Sequence, residues 1–224
     1  MIFCSNHGTT AGIHKKGIIA AVIIVFIAAA VIIAQKELVR RKIAAGIAAS
    51  VLTDERDGKT YRTVRIGNNR WMAENLNYKT DYSFCYGNDN SNCDKYGRLY
   101  DWNAAMDACP AGWVLPGRDH WNDLFWAADG GNYVASKKLK SKTGWNDKGN
   151  GVDRFSFSAL PGGYIWGYST FSGIGASGSW WSSAANSSWR GNAWGWNMYS
   201  DRASMNEKLY ENSHGLSVRC VEDK

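Results

Sequence analysis

Residues 17–34 read GIIAAVIIVFIAAAVIIA, an apolar run with neither charge nor proline. At about 1.5 Å per residue, such a run spans roughly 27 Å as a helix, close to the thickness of a bilayer's hydrocarbon core. The apolar pattern then narrows to one stripe: Val39, Ile43, Ile47 and Val51 recur at every fourth position, and the first proline is Pro110. This spacing predicts a transmembrane helix that continues as an amphipathic one, together covering residues 17–52. Residues 1–16 are then a cytoplasmic leader.

Beyond residue 55 the periodicity shortens. Arg56-Asp57-Gly58-Lys59 reads as a turn, and residues 60–66 alternate as a strand. Gly67-Asn68-Asn69 turns again into residues 70–76, giving a hairpin. Two helices are expected: 99–108, with Leu99, Trp102, Ala105 and Met106 at helical spacing, and 118–128, with Trp121, Leu124, Phe125 and Ala128 on one stripe. After Gly130, Gly, Ser and Asn separate short aromatic segments such as Gly163-Tyr164-Ile165-Trp166, Trp180-Trp181-Ser182-Ser183 and residues 193–199. Residues 216–221 alternate as a last strand. The fold class is therefore α+β: a long N-terminal membrane helix, then a loop-rich domain over 55–224 with two helices and short antiparallel strands.

Composition sharpens this picture. All twelve Trp of the 224 residues lie after position 70. The formal charge of +6 divides into +5 within residues 1–51 and +1 in the remainder, so the basic balance belongs to the flanks of the apolar run and does not mark a nucleic-acid surface. Lys137, Lys138, Lys140 and Lys142 read as a solvated face. Four cysteines, Cys85, Cys93, Cys109 and Cys220, lie in the domain, and Cys4 lies outside it. Four cysteines allow three pairings. The simplest has Cys85 and Cys93 bridging a short polar loop, which leaves Cys109 to join Cys220. The basic flanks of the apolar run favour a cytoplasmic C-terminal side. The cysteine content favours an oxidising compartment, and that argument carries more weight here. The expected location is the cell envelope, membrane-anchored with the domain outside the cytoplasm, or secreted after processing near the small residues 44–50.

Two resemblances follow from motifs. Lys15-Lys16-Gly17-Ile18 ahead of the apolar helix resembles the leader of type IV pilin-like proteins, although Val22 stands where that family has an acidic residue. The segments DGKTYRTVRIGNNRWMAENLNY (57–78), CYGNDNSNCDKYGRLYDWNAA (85–105), CPAGWVLPGRDHW (109–121), FSALPGG (157–163), WWSS (180–183) and SVRCVED (217–223) together resemble the Fibrobacter succinogenes major paralogous domain family. One departure is Gly117, where the pattern has a helix-capping Ser; Asp119 is expected to take over as cap. The connector into a Trp-bearing helix, the WWSS strand and the terminal Cys strand are also similar to C-type lectin-like and formylglycine-generating-enzyme-like domains. The resemblance thus implies a lectin-like domain in secreted or envelope-attached proteins, and it implies no reaction.

Candidate chemistry is sparse. Gly-x-Ser-x-Gly is absent, His120 and His214 have no motif context, and no Cys-x2-Cys pair suggests zinc. Cys220 stands alone near the C-terminus, against a formylglycine-generating cysteine pair. Calcium is a minor alternative, with Asn146 and Asp147 as its candidate ligands. The oxygen-rich loop Asn88, Asp89, Asn90, Asn92 and Asp94 reads instead as a capped disulfide turn. No catalytic residue, metal or cofactor is therefore expected.

The remaining signal is aromatic. Trp194, Trp196 and Met198 alternate and would share one strand face. Trp71, Trp102, Trp113, Trp121 and Trp180 are expected in the core. Trp166, Trp189, Trp194 and Trp196, beside Gly/Ser/Asn loops, are the candidate ligand-binding residues. The expected function is membrane-tethered binding or adhesion, with polysaccharide as ligand. The alternative is a pilin-like subunit of a filament or envelope complex. Expected partners are the membrane, polysaccharide or envelope proteins, and further copies of the chain in an oligomer or filament; nucleic acid is not among them.

Overall fold

A computed structural model of the chain describes residues 27, 29–37 and 50–224. The chain divides into two units, Met1–Ala48 and Ala49–Lys224. Residues 29–37 are helical. The leader, Cys4 and most of the 17–52 helix lie outside the described residues. Among those described, no helix is long and apolar enough to cross a membrane.

The second unit is α+β and mostly sheet. One sheet joins β1 (Ser50–Thr53), β2 (Thr60–Ile66), β3 (Asn69–Met72), β6 (Trp113–Val114) and β13 (Val221–Glu222) in the order β1-β2-β3-β13-β6. The other contains β4 (Ser83–Phe84), β5 (Leu99–Tyr100), β9 (Ser177–Ala185), β10 (Asn192–Tyr199), β11 (Met205–Glu211) and β12 (Leu216–Ser217), ordered β11-β10-β9-β12-β5-β4. The hairpin β7 (Gly162–Trp166) and β8 (Thr170–Ile174) joins this sheet through β9. The helices are α1 (Asn90–Tyr96), α2 (Trp102–Met106), α3 (Arg118–Ala127) and α4 (Ala135–Leu139).

Several expectations shift at the level of local chemistry. The helix expected to reach residue 52 gives way to strand at Ser50–Thr53, because residues 50–53 pair with β2 in antiparallel register. The turn that closes this hairpin is built by Asp54, whose buried carboxylate holds the Arg56 guanidinium at 2.8 and 2.7 Å, and by Gly58 at φ 71°. That ion pair depresses the Asp54 pKa. The predicted 99–108 helix is instead strand at residues 99–100 followed by α2. Asp101 makes the break, its carboxylate accepting from the Ala104 N–H at 2.7 Å as an N-cap. In α3 the expected cap Asp119 is not used; the His120 Nδ1 accepts the Gly117 N–H at 3.1 Å. The lysine run is not uniformly solvated. Lys140 is buried, and its ammonium donates to the carbonyls of Tyr199 and Arg202 at 2.9 and 3.1 Å, with the Trp145 ring 4.9 Å away.

Two apolar clusters fill the interior, and β9 divides them. Successive side chains of a strand point to opposite faces, so Trp180 enters one cluster with Trp71, Trp121 and Trp196, while Trp181 enters the other with Tyr100, Tyr210 and Leu216. Three of these buried indoles find partners for their N–H groups, while those of Trp71 and Trp196 have none among the described residues. Trp181 donates to Tyr100 O at 2.7 Å, Trp121 to Trp181 O at 3.2 Å and Trp180 to Asn75 Oδ1 at 2.8 Å. Of the five Trp expected in the core, Trp71, Trp121 and Trp180 are fully buried, Trp113 is nearly so and Trp102 is half-buried.

Both expected disulfides are present. Cys85–Cys93 closes the polar loop at a Cα separation of 4.9 Å, and Cys109–Cys220 joins the chain after α2 to the residue before β13 at 5.9 Å. Bridging residues 111 apart stabilises the fold by roughly 4–5 kcal/mol in the chain-entropy account. Next to Cys220, Arg219 is fully buried and is met by neutral acceptors. Its Nε and Nη2 donate to Asn75 Oδ1 at 3.1 and 2.8 Å, Nη1 donates to Phe157 O, and Nη2 also reaches Ser158 O at 3.3 Å. The Phe157 ring lies 4.3 Å from the guanidinium carbon. Burial lowers the Arg219 pKa, yet the carbonyl cradle keeps the cation hydrogen-bonded. Asn75→Leu removes the acceptor shared by Arg219 and the Trp180 N–H, and should lower unfolding free energy by about 2–4 kcal/mol; urea denaturation measures it.

Candidate aromatic binding shelf

The β7–β8 hairpin carries aromatic side chains on both faces. Its turn places Gly167 at φ 48° and Tyr168 at φ 68°, with the Ser169 N–H bonded to Trp166 O at 3.1 Å. Positive φ at both central residues is what a type I′ hairpin turn requires, and it suits the twist of the flanking strands. On β7, Tyr164 and Trp166 point one way and Ile165 the other, into full burial. Phe171 sits opposite Ile165 in the register and meets Tyr86 at 5.2 Å between ring centroids.

The tip of the hairpin is pinned. The Tyr168 hydroxyl donates to Asp101 Oδ2 at 3.2 Å, so the carboxylate that caps α2 also holds the turn. Desolvation and the adjacent Asp101 charge raise the Tyr168 pKa. Around this anchor, Tyr168 lies 5.8 Å from Tyr82 and 6.1 Å from Phe84. On the other face, Trp166 lies 5.5 Å from Tyr164 and 4.3 Å from the His214 imidazole. The exposed members are Tyr82 at 62% and Tyr168 at 45% around the anchor and Trp166 at 43% on the other face, so both faces present aromatic surface to solvent. The Lys208 ammonium stands 5.9 Å from the Trp166 ring.

The four tryptophans singled out in the sequence part company here. Trp166 belongs to the shelf. Trp189 is 66% exposed but sits on the β9–β10 connection without an aromatic neighbour among the described residues. Trp194 is half-buried beneath Arg118, whose guanidinium lies 4.7 Å from its ring and is held by both carboxylate oxygens of Glu207 at 2.6 Å. Trp196 is only 5% exposed and stacks on Trp121 at 6.3 Å, so it is a core residue and cannot belong to an exposed row. Trp194, Trp196 and Met198 do share a strand face, but α3 covers that face with Trp121 and Phe125.

Tyr82, Phe84, Tyr86, Tyr164, Tyr168 and Phe171 were not singled out. The aromatic alternation Tyr164, Trp166, Tyr168 is the one local signal for part of the set; the others reach it only through folding. In the oxygen-rich loop, Asp89 accepts the Ser91 N–H at 2.9 Å and the Asn92 side chain donates to Tyr86 O at 2.9 Å. The backbone N–H of Asn146 is bonded to Gly175 O at 2.8 Å. Among the described residues, no three His, Cys, Asp or Glu side chains converge as a metal site would require.

The Fibrobacter succinogenes major domain matches residues 64–222. The chain belongs to this family. No curated protein and no solved structure matches it.

His214 lies beneath the shelf with 4% exposure. Burial lowers its pKa from 6.5, opposed by Glu211 and reinforced by Lys208. The folded domain therefore holds the imidazole neutral, and its contribution to stability is greatest above pH 6.5. As pH falls below that value the unfolded chain takes up the proton first, and stability declines. The stability difference between wild type and His214→Phe should move against wild type between pH 7.5 and 5, measured by urea titrations at each pH.

Proposed function

We propose that the protein is a membrane-tethered, extracytoplasmic binding or adhesion protein whose lectin-like head lays polysaccharide across the aromatic shelf. The shelf is the observation that carries this reading. Sugar rings present C–H groups of partial positive charge, and these stack on the negative faces of Trp and Tyr rings. Trp166 offers such a surface on a hairpin whose turn is fixed by the Asp101 contact, and Tyr82, before β4, offers another against Tyr168 of that turn, so little ordering is needed on binding.

The placement outside the cytoplasm draws on the two disulfides, which persist in oxidising compartments. The tether draws on the apolar run at residues 17–34. The C-type lectin-like assignment draws on the α+β head whose last strand is stapled by Cys220 to the end of a helical segment.

Detergent-solubilised full-length protein should be retained on at least one of insoluble cellulose, xylan or chitin. Trp166→Ala combined with Tyr82→Ala should reduce retention at least tenfold without changing the thermal midpoint. Trp189→Ala should leave retention unchanged. Absence of retention on all three glycans, or full retention by the double variant, contradicts the reading.

A further inference from the structure

A concave feature is lined entirely by residues outside the aromatic hairpin. It is a groove of about 530 Å³ lined by residues 58–62, 73–75, 77 and 93–97 together with Ser158 and Leu160. The volume falls within the range of about 300–1,000 Å³ that small-ligand sites occupy. Its walls carry three basic side chains, Lys59, Arg62 and Lys95, and two acidic ones, Glu74 and Asp94.

Much of this charge is already matched. Lys59 pairs with Asp57 at 3.0 Å, and the Glu74 carboxylate accepts from the Arg62 N–H at 2.7 Å and lies 3.4 Å from its guanidinium. Beneath the floor, Arg219 donates to Asn75 and Ser158, while Asp153 accepts from the Ser158 hydroxyl at 2.7 Å. The groove is therefore close to electrically balanced, which disfavours an acidic peptide or a polyanion as occupant.

What stays uncommitted is hydrogen-bonding capacity. Among the described residues, the side chains of Asp94, Lys95, Asn77 and Thr60 make no hydrogen bond or ion pair, and all four line the groove. Together they offer a carboxylate acceptor, an ammonium donor, and an amide and a hydroxyl that each do both. Neighbouring hydroxyls on a sugar ring also donate and accept, and they need both kinds of partner at close spacing. We infer that this groove is a binding site for a neutral sugar residue, with Asp94 and Lys95 as its principal polar contacts. The inference stands apart from the Trp166 shelf, since the two features share no residue.

The test is amide chemical-shift mapping on full-length, isotope-labelled protein titrated with four neutral oligosaccharides (cellohexaose, xylohexaose, mannohexaose and laminarihexaose) and with trigalacturonate and a glutamate-rich peptide. At least one neutral oligosaccharide should shift amides at 58–62, 73–77 and 93–97. The same shifts should persist in Trp166→Ala, and Asp94→Ala combined with Lys95→Ala should weaken binding at least tenfold. Both substituted positions are exposed, so an unchanged spectrum elsewhere shows that the variant is folded. Shifts confined to the β7–β8 hairpin, groove binding by trigalacturonate or the peptide alone, no effect of the double variant, or no groove shifts with any sugar would each overturn the inference.

Discussion

The segment 216–222 is the tie on which the domain depends. Its first part, β12, lies between β9 and β5 in one sheet, and its last part, β13, lies between β3 and β6 in the other. Between them the backbone continues the pairing, with the Leu76 N–H bonded to Val218 O at 2.9 Å and the Met72 N–H to Cys220 O at 3.0 Å. Arg219 points into the interior from the crossing point, and Cys220 is bonded to Cys109. A disulfide, a buried guanidinium and two sheets hold this segment.

This arrangement positions the shelf. β7 joins the second sheet beside β9, and the backbone of Ile165 exchanges hydrogen bonds with Gly215 at 3.0 and 2.9 Å, one residue before β12. Asp101 follows β5, the antiparallel neighbour of β12, and holds the Tyr168 hydroxyl. The aromatic hairpin is thus held to β9 near its base through Gly163, and near its tip both to Gly215 through Ile165 and to the α2 cap through Tyr168. Rings fixed in this way lose little freedom when a ligand stacks on them.

A good part of this was legible from the chain itself. The disulfide pairing followed from loop length, and the stripe Trp121, Leu124, Phe125 and Ala128 marked the inward side of α3, with Phe125 only partly buried. Trp196 shows where such reasoning stops: alternation tells which residues share a face but not whether a helix covers that face. Lys140 shows the same limit for charge, because its ammonium is satisfied by carbonyls some sixty residues later in the chain. The shelf gathers Tyr82 and Phe84 from one part of the chain and Trp166, Tyr168 and Phe171 from another, so only the topology brings them together. At Ser50–Thr53, the pairing offered by β2 outweighed a helical spacing that extended only as far as Val51.

The most direct measurement is peptide mass mapping of the native, unreduced protein after alkylation of free thiols. The account predicts one linkage joining the peptides that contain Cys109 and Cys220 and another joining Cys85 to Cys93, with none of the four alkylated. Alkylated Cys220, or Cys220 linked to Cys85 or Cys93, would mean that the C-terminal segment is not locked across the two sheets.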